Sequence, residues 1–197
     1  IATAHDPAID WVLHHAEQLQ ALAALPASAA RSVWLKVDSG MGRLGFRPEE
    51  IPAAVAHLQA LGERVQLKGF VTHLACADDR ANPMTKVQLE RFEQATAPYP
   101  GERSIANSAG MLAWPVVQGD WVRPGIMLYG VSPFADDHGS DYALRPVMTF
   151  KTRLISIRAC RKGDTISYGG TYVCPSDGRM GIVAVGYGDG YPRHIAP

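Results

Sequence analysis

Leu35-Lys36-Val37-Asp38-Ser39-Gly40-Met41-Gly42-Arg43-Leu44-Gly45-Phe46 is the stretch on which the reading of this chain turns. An apolar, β-prone run (Val33, Trp34, Leu35, Val37) delivers Lys36 and Asp38 to its end. Gly40, Gly42 and Gly45 then crowd around Arg43, and three glycines in six residues let a backbone take positive φ or approach a ligand closely. An arginine held in such a turn presents a flat, permanently charged fork that suits a carboxylate, phosphate or phenolate. Taken alone, the stretch reads more readily as a tight strand-to-helix turn with a solvated arginine.

Outward from that turn the chain keeps a rhythm. Asp6-Pro7 starts a helical pattern through Ile9, Val12, Leu13, Ala16, Leu19 and Leu22, stopped by Pro26. Ser32–Val37 is a strand. Pro48 opens a helix with Ile51, Val55 and Leu58 on one face, closed by Gly62. Val65–Leu74 is the next strand, and Asn82-Pro83 caps a helix carrying Val87, Leu89, Phe92 and Ala95. Arg103–Ala106 predicts a short strand, Ala109–Trp114 a short helix and Trp121–Leu128 a further strand. Strand and helix alternating every 30 to 35 residues or so is the βα unit of a parallel sheet. Arg43, His73, Ser108 and Gly125 all follow strands, as chemistry at the carboxyl ends of a (β/α)₈ barrel or an open doubly wound sheet requires. Four or five such strands are counted, whereas a barrel needs eight and roughly 250 residues, so a barrel here lacks its first half. Past the polar loop Asp136–Tyr142 the pattern is all β: Val147–Ala159, Thr165–Val173 and Met180–Val185.

Composition sets the outer bounds. The 197 residues are 47% hydrophobic and 19% charged with zero formal net charge, ordinary for a soluble globular protein. No basic run invites nucleic acid, and no apolar stretch nears the roughly 18 residues of a membrane span. No signal-peptide pattern is present. Cys76, Cys160 and Cys174 lack metal-type spacing and read as reduced thiols of a cytoplasmic protein. The chain opens on Ile1 and stops at Pro197 straight after an apparent turn, so both ends read as cut.

The remaining motifs are individually weak. Arg123-Pro124-Gly125 offers backbone N–H groups at Gly125 and Ile126 to an anion. Asn107-Ser108 stands at a strand-to-helix junction, where a hydroxyl suits a phosphate or simply caps the helix. His73 ends a strand, and no second histidine stands at a metal-ligand spacing from it, which argues against zinc. Tyr168 and Tyr187 sit among glycines; each is either aromatic packing beside a hairpin or, near cations, a general base.

In this order and spacing, LKVDSGMGRLGF, THLACAD, ANSAG, WVRPGIMLYGVSP, ISYGGTY and GYGDGYPR resemble the motifs of alanine racemase, a pyridoxal-phosphate family built on a barrel plus a β domain. The resemblance covers essentially the whole chain. It implies an α/β fold: the second half of a (β/α)₈ TIM-type barrel over residues 1–141, binding cofactor, then the start of a β-rich C-terminal domain over residues 142–197, carrying the second catalytic base. It implies pyridoxal 5'-phosphate as cofactor, alanine as substrate and a homodimer with shared active sites. Arg123 then meets the cofactor's ring nitrogen, and His73 bridges Arg123 to the catalytic tyrosine. Asn107, Ser108 and the Gly125 and Ile126 amides hold the phosphate, while Arg43 meets the phenolic oxygen and the substrate carboxylate. Lys36 matches a lysine carbamylated in many members, Tyr168 the catalytic base lent by the neighbouring subunit, and Tyr187 a tyrosine lining the substrate's path. The lysine that joins the cofactor covalently belongs to an early strand, and Lys36, Lys68, Lys86, Lys151 and Lys162 do not stand in its context. The resemblance thus implies an interior fragment, inactive alone, of an enzyme that supplies D-alanine for peptidoglycan. A broad-specificity amino-acid racemase and a non-catalytic cofactor-binding barrel remnant are the other readings.

Overall fold

In the computed structural model, residues 9–26 and 31–193 are described, so Asp6-Pro7 lies outside the described residues. The chain divides into two compact units, Ile1–Val147 and Met148–Pro197.

The first unit is built on a parallel sheet of β1 (Trp11–Leu13), β2 (Arg31–Lys36), β3 (Val65–Val71) and β4 (Glu102–Ser104), hydrogen-bonded in sequence order. Between the strands run α1 (Ala16–Ala23), α2 (Ile51–Ala60) and α3 (Met84–Thr96), and α4 (Ser108–Ala113) follows β4. Sequential parallel strands joined by helices are the repeating unit of a barrel. Alternation along the strands sorts the side chains: Leu13, Val33, Leu35 and Phe70 are buried under the helices with Ile51, Leu58 and Phe92. Burial of such residues is worth roughly 1.5–3 kcal/mol each before entropy is counted. Trp34 and Lys36 point to the opposite face.

Two expectations fail here. Trp11–Leu13 is a strand, paired with Val33–Leu35, and the helix begins only at Ala16. Ile9, Val12 and Leu13 match a helical spacing, but a short strand against an existing edge is the better use of Trp11 and Leu13, whose side chains reach the core. Trp121–Leu128 is not a strand: one parallel bridge joins Trp121 to Ser104, and a 3-10 turn covers Ile126–Tyr129. Pro124 has no N–H for a ladder, and it ends the extended run. The buried stripe of α3 is also more polar than expected, with Thr85, Gln88, Phe92 and Thr96.

The second unit is antiparallel. β5 (Leu154–Cys160) pairs with β8 (Gly178–Val183), and β6 (Thr165–Ile166) pairs with β7 (Tyr172–Val173). The expected strand 165–173 is interrupted by a 3-10 turn at Tyr168–Gly170, where Gly169 and Gly170 take φ of 74° and 56°.

Candidate active site

Every polar side chain singled out in the first unit stands at or beyond the carboxyl end of a strand. Lys36 is the last residue of β2, His73 lies two past β3, Ser108 opens α4 after β4, and Arg123 lies two past the Trp121 bridge.

The glycine turn is fastened at both ends. Phe46 N donates to Lys36 O at 2.8 Å, and Asp38 N donates to Phe46 O at 2.8 Å. Inside, the Asp38 carboxylate accepts from the Gly40 and Gly42 amides at 3.1 and 3.0 Å. A side chain that bonds its own backbone ahead stabilises such a turn. Gly45 has φ +127°, and a Cβ there would lie 2.6 Å from Asp38 N. Arg43, at the tip, is exposed.

Arg123 is fixed by three contacts. Its Nη1 donates to Ser104 Oγ at 2.6 Å, its Nη2 donates to Thr72 O, and the same Nη2 lies 3.4 Å from His73 Nδ1. A guanidinium only donates, so Nδ1 carries the lone pair and Nε2 the proton. His73 is correspondingly held neutral. Burial, then the charges of Arg123, Lys36 and Arg43, pull it from 6.5 to about 4. Lys36 is also lowered, by burial first and then by Arg123 and Arg43, and burial lowers Arg123. Asp38 opposes the shift of Lys36 only as the smallest contribution. Three cations thus surround one neutral imidazole with little negative charge to meet them. Such a site favours an anion.

Asn107 is the N-cap of α4: its Oδ1 accepts from Gly110 N at 2.9 Å and its Nδ2 donates to Leu74 O at 3.2 Å. Ser108 is therefore spared capping. Its Oγ accepts from the amides of Gly125 at 2.9 Å and Met127 at 3.3 Å. The Gly125 amide expected to face an anion is aimed at this hydroxyl, so the serine and the turn after Pro124 form one cradle. His73, Asn107, Ser108, Arg123, Gly125 and Ile126 line a common cleft of about 410 Å³, with Asp78 on the same wall.

Tyr168 and Tyr187 belong to the second unit. Tyr168 heads its turn 88% exposed, after Ser167 at φ 63°. Tyr187 opens the 3-10 turn Tyr187–Asp189, and the Arg193 guanidinium lies 5.6 Å from its ring centre. Sequence reasoning missed Thr72 and Ser104, which hold Arg123, Gln88, which holds the His73 carbonyl, and Ser39, which bonds Thr72 and Gln88. Thr72 adjoins the singled-out His73 and Ser104 lies in the expected strand 103–106, but only strand pairing brings them under Arg123. Among the described residues, no cluster of three or more His, Cys, Asp or Glu could hold a metal, and no helix is long and apolar enough to cross a membrane.

Residues 1–133 match the family model described as alanine racemase, N-terminal domain, and residues 147–197 match alanine racemase, C-terminal domain. The chain is 52% identical to an alanine racemase of Halorhodospira halophila over 94% of this chain and 51% of the relative. It is 47% identical to one of Shewanella sp. (strain ANA-3), over 98% of this chain and 54% of the relative. Among solved structures, the biosynthetic alanine racemase of Pseudomonas aeruginosa superposes with a TM-score of 0.85 at 42% identity, covering 93% of this chain and 51% of that one. The alanine racemase of Acinetobacter baumannii does so with 0.82 at 36% identity, covering 94% and 52%. The chain spans about half the length of the curated relatives it matches.

Proposed function

The chain belongs to the alanine racemase family, and from that premise we propose that the whole protein interconverts L- and D-alanine with pyridoxal 5'-phosphate as cofactor. The reading extends to a cytoplasmic homodimer that supplies D-alanine for peptidoglycan. The observation that carries it is the weakly opposed cationic cluster of Lys36, Arg43 and Arg123 around neutral His73, beside the Ser108–Gly125 cradle.

The donor set fits the cofactor's chemistry. The Ser108 hydroxyl and the Ile126 amide suit its phosphate, with the Gly125 amide holding that hydroxyl and Asn107 fixing the start of α4, while Arg123 suits its ring nitrogen and Arg43 its phenolic oxygen. When bound, the cofactor supplies a ring that accepts electron density as Cα loses its proton. An arginine beside the ring nitrogen leaves that nitrogen without a proton, which limits delocalisation and side reactions. Arg43 also takes the substrate carboxylate, orienting Cα. Racemisation removes a proton from one face of Cα and returns one to the other. Tyr168, lent by the neighbouring subunit, serves one face, and a lysine outside these motifs serves the other. His73 donates through Nε2 toward that tyrosine while Nδ1 faces Arg123. Lys36, whose ammonium form is disfavoured by burial and by the two arginines, would react as the neutral amine with carbon dioxide, releasing a proton, to give a carbamate anion facing Arg43 and Arg123. Tyr187 lines the substrate's path.

The test is direct. Full-length protein loaded with pyridoxal 5'-phosphate should convert either pure enantiomer of alanine to the racemate, followed by chiral chromatography. Retention of the starting enantiomer at enzyme concentrations where a reference racemase equilibrates would sink the reading.

A further inference from the structure

The face that α3 turns to the site carries a glutamine where an apolar residue would pack. Gln88 is fully buried, and burying an amide costs free energy unless its hydrogen bonds are made. They are made: Nε2 donates to His73 O at 3.0 Å and to Ser39 Oγ at 3.4 Å, and Oε1 accepts from Ala75 N at 2.8 Å. Because His73 O only accepts and Ala75 N only donates, the amide's orientation is fixed. Thr72 N, donating to Ser104 O at 3.1 Å, is the last rung between β3 and its neighbour. Beyond it the chain leaves the sheet, and Gln88 takes the place of a neighbouring strand for residues 73–75. The same network reaches the glycine turn, because Ser39 Oγ lies 2.9 Å from Thr72 Oγ1, which donates to Val37 O at 2.9 Å. Thr72 O in turn accepts from Arg123.

We infer that Gln88 is a positioning residue that sets the His73 imidazole against Arg123, a role that rests on the racemase reading above. It touches neither substrate nor cofactor. It acts by gripping the backbone that follows the His73 side chain, at His73 O and Ala75 N, and reaches the preceding Thr72 through Ser39.

The experiment uses full-length holoenzyme and three variants: Gln88→Glu, close to isosteric; Gln88→Met, apolar and of similar volume; and Gln88→Asn, an amide one methylene too short to span both contacts. kcat and KM are measured across pH, and His73 is titrated in cofactor-free protein by histidine-selective ¹⁵N NMR. The charged groups facing this region are Arg91 on α3, whose Nη1 donates to Ser39 O, Asp38, Lys36 and Arg43 on the glycine turn, Asp78 in the shared cleft, and Arg123. All three variants should lose kcat roughly ten- to a hundredfold at neutral pH with KM little changed, the scale of a misplaced catalytic constellation. In Gln88→Glu the introduced carboxylate should raise the His73 titration, and acidification should restore kcat, because the protonated carboxyl again offers one donor and one acceptor. Gln88→Met should show no such rescue. Folded variants with wild-type kcat and an unmoved His73 titration would overturn the inference, whichever of the three remain folded. An inactive wild type would instead overturn the racemase reading, and the NMR titration would still decide whether Gln88 sets His73.

Discussion

Arg123 uses two nitrogens to hold Thr72, Ser104 and His73 at once, and its charge helps keep that histidine neutral. Replacing Arg123 with Gln removes the charge and most of the fork. His73 should then titrate above its present value of about 4, short of 6.5 because burial remains the larger cause. Histidine-selective NMR reads this directly; an unchanged titration would remove Arg123 from the cause. The same depression couples His73 to stability. In the unfolded chain His73 takes up a proton near 6.5, before the folded form does. The stability associated with neutral His73 is therefore fully present above pH 6.5 and is lost as pH falls through about 4. Urea unfolding of His73→Gln should show a shallower loss between those pH values than wild type, and parallel curves would contradict the assignment.

At the scale of elements, the glycine turn is the part most legible in the sequence, because glycine density reports backbone geometry rather than packing. Its glycines are not equivalent. Gly42 has φ +69° with no atom of the described residues within 4 Å of an added Cβ, whereas Gly45 at φ +127° would drive a Cβ into Asp38 N and Lys36 O. Gly42→Ala should cost only about 1–2 kcal/mol, the ordinary penalty of left-handed backbone. Gly45→Ala should cost more and displace Arg43, weakening cofactor binding measured by equilibrium titration. Equal effects of the two would show that the turn does not aim Arg43. β2, α2 and β3 were equally readable, since long periodic runs sit between clear stops. β1 was not, because its three residues fit both periods and only pairing with β2 decides between them. The polar stripe of α3 was hidden for a related reason. Gln88 looks like a surface residue until β3 ends above it and leaves a backbone in need of partners. The residues proposed to meet ligand stand in motifs that the sequence displays. Those that hold them were found only through the fold.

At the scale of the whole molecule, the proposed chemistry is divided between units of the chain. Lys36, Arg43, His73, Ser108 and Arg123 belong to the unit Ile1–Val147, and Tyr168 belongs to Met148–Pro197. The reading assigns Tyr168 to the partner's active site, and symmetry makes that assignment testable without a structure of the dimer. Tyr168→Phe and Arg123→Gln homodimers should each be nearly inactive, since every site carries a defect. In a heterodimer, the site using the intact Arg123 of one subunit receives the intact Tyr168 of the other, while the second site collects both defects. If subunits exchange freely, half the dimers are mixed and half of their sites are whole, so the mixture should recover roughly a quarter of wild-type activity. Were Tyr168 to serve its own subunit, every site in the mixture would still carry one defect and activity would stay at the homodimer level. Co-expression with two affinity tags isolates the heterodimer, which should reach about half of wild-type activity per dimer. A heterodimer as inactive as its parents would return Tyr168 to its own chain.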